Sequence, residues 1–151
     1  MKIIVTAGPT REHIDNVRFI SNLSSGRIGY ELARIAQVHG HRVVLVSGPS
    51  LIEPPEEVEF VAVKSAAEMA EAVRSNFDDA DALIMAAAVA DYRPREFHKG
   101  KIHKSEGPLI LELERTEDIL REMGKDKKGR ILVGFALEAS EDDLERGIEK
   151  C

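Results

Sequence analysis

Ile3-Ile4-Val5-Thr6-Ala7-Gly8 and Ser24-Ser25-Gly26-Arg27-Ile28-Gly29 bracket the segment that decides the fold. The first is an aliphatic run apolar on both faces, as a buried parallel strand must be. The second opens a helical pattern in which Ile28, Leu32, Ile35 and Ala36 recur at i, i+4, i+7 and i+8. Strand, loop and helix in this order form the first half of a parallel βαβ unit.

The same alternation continues outward. Val43 to Val46, Val58 to Val63, Leu83 to Met85, Leu109 to Leu113 and Ile131 to Phe135 read as strands. Ser65-Ala66-Ala67-Glu68 reads as a capping box, opening a helix with Met69, Ala70, Val73 and Phe77 on one face. A short helix is expected over Glu117 to Met123, and Ser140 caps a last one with Leu144, Ile148 and Cys151 in register. The expectation is an α/β, Rossmann-like, three-layer domain with a mostly parallel sheet over residues 1–151, binding its ligand at the carboxyl ends of the strands.

Composition narrows the partners. The chain is 43% hydrophobic and 32% charged with a net charge of −6, so broad binding to nucleic acid or to anionic membrane is not expected. The longest apolar run, Ala82 to Ala90, is too short for a bilayer, which needs roughly 20 residues. One cysteine supports neither a disulfide framework nor a cysteine-based zinc site, which favours a reducing cytoplasm. No metal-ligand set is predicted.

Two loops break the pattern. Gly8 to Ser25 is 18 residues long, as is Asp91 to Pro108, where an α/β connection normally has about 2–6. Each is either a surface insertion or a carrier of chemistry. The first ends at Ser24-Ser25-Gly26, where a helix begins and unpaired N–H groups face whatever enters. Gly26 and Gly29 let a phosphate or the sheet come close; on the plainer reading a serine caps the helix and Gly29 is for packing. Arg18 offers a planar fork for a carboxylate or phosphate, and Asn22 offers two donors and an acceptor. The second loop follows Met85-Ala86-Ala87-Ala88-Val89-Ala90-Asp91, whose small side chains either admit a planar ligand to the backbone or pack beneath a helix. Beyond it Arg93, Arg95, Lys99, Lys101 and Lys104 stand against Asp91, Glu96 and Glu106. Such a run is a solvated face or an electrostatic flap over phosphates. A nicotinamide site is disfavoured because G-x-G-x-x-G is absent and the second strand ends at Ser47 without an acidic residue.

Five motifs stand in one order. They are Ala7-Gly8-Pro9-Thr10-Arg11-Glu12, then Val17-Arg18-Phe19-Ile20-Ser21-Asn22-x-Ser24-Ser25-Gly26-x-x-Gly29, then Ala86 to Arg93, then Lys101-Ile102-x-Lys104, and last Val133-Gly134-Phe135-Ala136. Together they closely resemble phosphopantothenoylcysteine synthetases of the bacterial, CTP-using type. The resemblance implies a ligase of coenzyme A biosynthesis that joins 4′-phosphopantothenate to cysteine through an acyl-cytidylate. It implies Mg²⁺ with CTP, a homodimer, and a basic flap that reaches the neighbour's site. Lys101 matches the lysine of the acyl-cytidylate step and Asn22 the asparagine that handles the intermediate. Arg18, Asn22, Ala87 and Ala88 match substrate contacts. Ser24, Gly26, Gly29, Met85, Ala86, Ala87, Asp91, Lys101, Glu117, Asp118, Ile119, Leu120, Phe135 and Lys150 match nucleotide contacts. His103 departs from a usual lysine, and Thr116-Glu117 from Asn-Pro. The chain ends at Cys151, before the family's final lysine-bearing segment. A non-catalytic nucleotide-binding module is the alternative expectation.

Overall fold

A computed structural model describes residues 1–136. The expected helix from Ser140, and Lys150 with it, lies outside the described residues. The elements run β1 (Lys2–Ala7), β2 (Arg11–His13), β3 (Phe19–Ser21), α1 (Arg27–Val38), β4 (Arg42–Ser47) and β5 (Glu59–Ala62). They continue with α2 (Ala66–Phe77), β6 (Ala82–Met85), β7 (Tyr92–Pro94), β8 (Leu113–Arg115), α3 (Ile119–Lys125) and β9 (Ile131–Gly134).

Five strands form one parallel sheet in the order β5-β4-β1-β6-β9. β1 lies at its centre and is buried along its whole length, because it is covered on both faces. One face packs Ile3, Val5, Val43 and Leu45 against Tyr30 and Ala33 of α1. The other packs Ile4, Val44, Val46 and Leu83 against Met69, Val73 and Phe77 of α2 and Ile119 and Met123 of α3. This is the three-layer α/β architecture expected. The chain leaves β1 towards β4 on one side and later returns to β6 on the other. The crevice between the ends of β1 and β6 is therefore the topological switch point, where open α/β sheets take ligands.

The capping box forms on one side as expected: Ser65 Oγ accepts from Glu68 N–H at 3.2 Å. Its reciprocal arm lands one residue earlier, where Lys64 N–H donates to Glu68 Oε2 at 2.6 Å. Two expectations are corrected. The buried face of α1 is Gly29, Tyr30 and Ala33, while Ile28 and Ile35 are exposed. Leu32 and Ala36 do pack, half-buried, against the edge of the same core, so the contact is centred on Gly29, Tyr30 and Ala33 and rotated from the expected face. Leu109 to Leu113 is not a sheet strand. Leu109 and Ile110 are exposed, and only Leu113 onward pairs, antiparallel with β7.

Candidate functional site

The switch point is built from buried hydroxyls. Thr6 and Thr10 are wholly buried at and just beyond the end of β1. Thr6 Oγ1 accepts from Ala87 N–H at 3.2 Å, and Thr10 Oγ1 from Ala90 N–H at 3.0 Å. Ala88 N–H donates to Gly8 O at 2.9 Å, and Thr10 N–H to Ala88 O at 3.3 Å. The strand pairing thus continues past the sheet as a parallel bridge between Pro9 and Ala88. The amides of Ala87, Ala88 and Ala90 therefore hold the two segments together, and those N–H groups are not turned towards a ligand as expected. Met85 lies beneath, its sulfur 3.6 Å from Thr6 Oγ1, and its carbonyl accepts from Phe135 N–H at 3.3 Å.

Asn22 closes over this junction. Its side-chain nitrogen lies 3.1 Å from Val89 O and 3.3 Å from Ala88 O. Two carbonyls demand the NH₂ group, so the amide orientation follows from chemistry, and Oδ1 is the side left towards solvent.

Gly26 and Gly29 divide the roles expected of them. For Gly29 it is the sheet that comes close: a Cβ there would sit 2.5 Å from Ala7 Cβ and 2.7 Å from Thr6 O. Gly26 caps α1 in the left-handed region, φ +80, against the backbone of Gly8. Ser24 Oγ accepts from Gly26 N–H at 3.2 Å and Ser25 Oγ from Arg27 N–H at 3.4 Å, so both serines bond locally while neither is the N-cap residue.

The segment 116–120 docks beside Asp91. Thr116 N–H donates to Asp91 O at 2.9 Å and its hydroxyl to Ala90 O at 2.5 Å. Its side chains then serve the fold. Glu117 pairs with Arg74 and raises that guanidinium's pKa, and Asp118 caps α3. Ile119 enters the core, and Leu120 leans on Gly134, where a Cβ would lie 2.6 Å from Leu120 Cδ2.

The first loop is a hairpin, β2 on β3, laid across the start of α2. Glu12 is buried and its Oε1 accepts from Ala66 N–H at 2.8 Å. Asp15 is also fully buried. Its Oδ1 accepts from Val17 N–H at 2.8 Å and Arg18 N–H at 2.7 Å. Its Oδ2 accepts from Ile102 N–H at 3.0 Å and Arg18 Nε at 3.1 Å. The Ile102 amide, helped by those of Val17 and Arg18 and by the guanidinium charge, holds this carboxyl well below the usual carboxylate range against the opposing effect of burial. Arg18 is accordingly engaged within the protein, on Asp15 and on the carbonyl of Ile102.

The flap is less charged than the sequence implied. Arg93 pairs with Glu114 at 2.8 Å and Arg95 with Glu112 at 2.5 Å, across β7 and β8. These acids lie just past the loop as it was counted. Among the described residues no ion pair involves Lys99, Lys101 or Lys104. The described residues also contain no group of three His, Cys, Asp or Glu able to hold a metal, and no helix long and apolar enough to cross a membrane.

The structure therefore gathers Asn22, Met85, Ala87, Ala88, Asp91 and Phe135 at or beyond the ends of β1, β6 and β9, whereas Arg18 lies out with Asp15 and Ile102 where the two loops meet. Lys101 is tethered through its neighbour Ile102. Sequence reasoning missed Thr6, Thr10 and Asp15. A hydroxyl inside an aliphatic strand was the available signal for Thr6. Asp15 carried none beyond standing three residues before Arg18.

Comparison with known proteins adds relatives. Residues 1–151 match the DNA/pantothenate metabolism flavoprotein C-terminal domain. A coenzyme A biosynthesis bifunctional protein CoaBC of Bacillus subtilis (strain 168) is 51% identical over 92% of this chain and 34% of its own. A cysteine/cysteine sulfinic acid decarboxylase of an unknown prokaryotic organism is 46% identical over 93% of this chain and 40% of its own. The chain thus spans well under half the length of these curated relatives. The crystal structure of the C-terminal domain of a bifunctional protein CoaBC superposes with TM-score 0.85 at 44% identity, covering 99% of this chain and 72% of that one.

Proposed function

The chain belongs to the DNA/pantothenate metabolism flavoprotein C-terminal domain family, and from that premise we propose that it is a phosphopantothenate–cysteine ligase of coenzyme A biosynthesis. The observation that supports this best is the convergence at the switch point. Asn22 sits on the carbonyls of Ala88 and Val89, and the backbone beside Lys101 is bonded to the same loop that carries Asn22. The two residues on which the chemistry depends thus belong to one pair of interlocked loops. The decarboxylase name among the relatives describes a chain of which this one covers 40%, and no decarboxylation is carried over.

A carboxylate does not acylate an amine at neutral pH, because its leaving group is too poor. In the proposed reaction a carboxylate oxygen of 4′-phosphopantothenate attacks the α-phosphorus of CTP, and the bond to the β-phosphate oxygen breaks to release pyrophosphate. The amine of cysteine then attacks the acyl carbon of the mixed anhydride, CMP departs, and the nitrogen gives up a proton to leave the amide. Lys101 neutralises charge on the transferring phosphoryl group. Asn22 meets the acyl carbonyl only by releasing a backbone carbonyl; with its present bonds, Oδ1 is positioned to accept from the incoming amine. The cradle formed by Ser24, Gly26 and the start of α1 faces the triphosphate. Mg²⁺ would accompany the nucleotide and supply neutralisation of its phosphate charge. A second copy of the chain completes the assembly, with exposed Phe97, Ile110 and Leu113 of the flap as contact surface.

The test is pyrophosphate release with each of the four nucleoside triphosphates, with and without 4′-phosphopantothenate. CTP with phosphopantothenate is expected to turn over. Lys101→Gln should slow release by roughly 10²–10³-fold, and Asn22→Asp should accumulate the acyl-cytidylate. Nucleotide binding without release in any mixture would favour the non-catalytic module.

A further inference from the structure

Lys101 is exposed, on a loop bearing two left-handed glycines, Gly100 and Gly107. Such a segment would ordinarily wander, yet the residues on both sides of Lys101 are fixed by the first loop. Before it, Gly100 O accepts from Asn16 N–H at 3.1 Å, and Gly100 N–H donates to Asn16 Oδ1 at 3.2 Å. After it, Ile102 N–H donates to Asp15 Oδ2 at 3.0 Å, and Ile102 O accepts from the Arg18 guanidinium. A parallel bridge between Asp15 and His98, with His98 N–H on Ile14 O at 3.0 Å, sets the register. We propose that Asp15 is a positioning residue for the ligase reaction, its buried carboxylate clamping the backbone beside Lys101 so that the lysine is already placed when the phosphoryl group transfers.

The distribution of acceptors carries this. A turn at Asp15-Asn16-Val17-Arg18 needs one oxygen, and Oδ1 serves it through the amides of Val17 and Arg18. The second oxygen, Oδ2, is surplus to the turn and goes to Ile102, 87 residues away. A buried ionised carboxylate is costly unless fully bonded, and a turn alone would be served by an asparagine. Asparagine could not do both tasks. It has one acceptor oxygen, and its NH₂ would face either the turn amides or the Ile102 amide, donor against donor. Oδ2 also holds the Arg18 guanidinium, which in turn bonds Ile102 O, so the carboxylate's charge and its second oxygen grip both the N–H and the C=O of the residue after Lys101.

The proposal rests on the reading that Lys101 assists phosphoryl transfer, and its test separates the two. The full chain, Asp15→Asn, Lys101→Gln and the double variant would be compared in CTP-dependent pyrophosphate release. Amide exchange at Gly100 and Ile102 would be followed alongside. Asp15→Asn should lower kcat by roughly 10–100-fold, the range a small misplacement of a reacting group produces. The KM for CTP should change by less than about threefold, since placement rather than nucleotide binding is lost. The double variant should be no slower than Lys101→Gln alone, because a residue acting through another adds nothing once that partner is gone. Exchange at Gly100 and Ile102 should quicken while that in β1 and β4 does not. Should Asp15→Asn fold poorly, exposed Asn16→Ala removes one bond to Gly100 and should show the same pattern more weakly. Effects of Asp15 and Lys101 that multiply, or exchange at Gly100 and Ile102 left unchanged, would overturn the clamp in an enzyme that still turns over. A parent chain that releases no pyrophosphate at all would instead overturn the ligase reading, and the catalytic meaning of the clamp with it.

Discussion

The two long loops have the same length and leave the same end of the same sheet, yet they are held in opposite ways. The first is fixed from within by buried polar groups: Thr10, Glu12 and Asp15 each satisfy backbone amides far away in sequence. In the second, two cations, Arg93 and Arg95, pair on the surface with acids of the returning strand, and its middle depends on bonds supplied by the first. A loop is ordered when buried donors and acceptors leave it no other way to be satisfied. Charge on its surface contributes far less.

The difference should be largest at the root of the first loop. Gly48 follows β4, and a Cβ on it would lie 1.9 Å from Pro9 O. Backbone cannot yield as a side-chain tip can, so Gly48→Ala must push Pro9 off its bridge to Ala88. A loss of about 1–3 kcal/mol or more is expected from urea unfolding. In the second loop Lys104→Ala should stay within about 0.5 kcal/mol. Equal losses at the two positions would break the contrast.

How much of this was legible follows the same division. The inner strands β1, β4 and β6 were readable because burial on both faces writes an uninterrupted aliphatic run, and α2 because its cap and its apolar face agree. The face of α1 was not readable. Its contact is centred on Gly29, Tyr30 and Ala33, of which two are too small to carry a periodic signal, while Ile28 and Ile35 advertise a face that stays exposed and Leu32 and Ala36 pack only at the edge. Leu109 to Leu113 looked like a strand of the sheet because an apolar run does not say whether it is covered. The motifs picked out segments that meet around the switch point, but not which bonds their groups make there. The amides of Ala87, Ala88 and Ala90 bond to Thr6, Gly8 and Thr10. Asp15 was illegible because its meaning depends on a partner in the other loop.

A smaller and more specific effect concerns acid. Asp15 is held below its ordinary value of 3.8, by the Ile102 amide first and then by the Val17 and Arg18 amides and the guanidinium. In the unfolded chain it protonates near that ordinary value. In the folded chain it stays ionised to lower pH. Its contribution to stability is therefore complete above the ordinary value and drains away as pH falls below it. The Asp15→Asn variant lacks this slope. Urea midpoints of parent and variant should differ most near neutrality and converge between about pH 4 and pH 2. A gap that stays constant through that range would mean the ionised form is not what the fold uses.

The smallest effect belongs to the flap. Glu112 and Arg95 are both more than half exposed, at 70% and 59%, and their contact of 2.5 Å is open to water and salt. Pairs of this kind contribute about 0.2–1 kcal/mol. The Glu112→Gln variant should therefore move the urea midpoint within that range at low salt, and by nothing measurable at 1 M salt, where screening acts over about 3 Å. The Asp15→Asn difference should survive the same salt almost intact, since no water or ion reaches its carboxylate. The salt dependence thus separates the loops more sharply than either midpoint alone: one is held by bonds that solvent cannot compete for, and the other by contacts that solvent already touches.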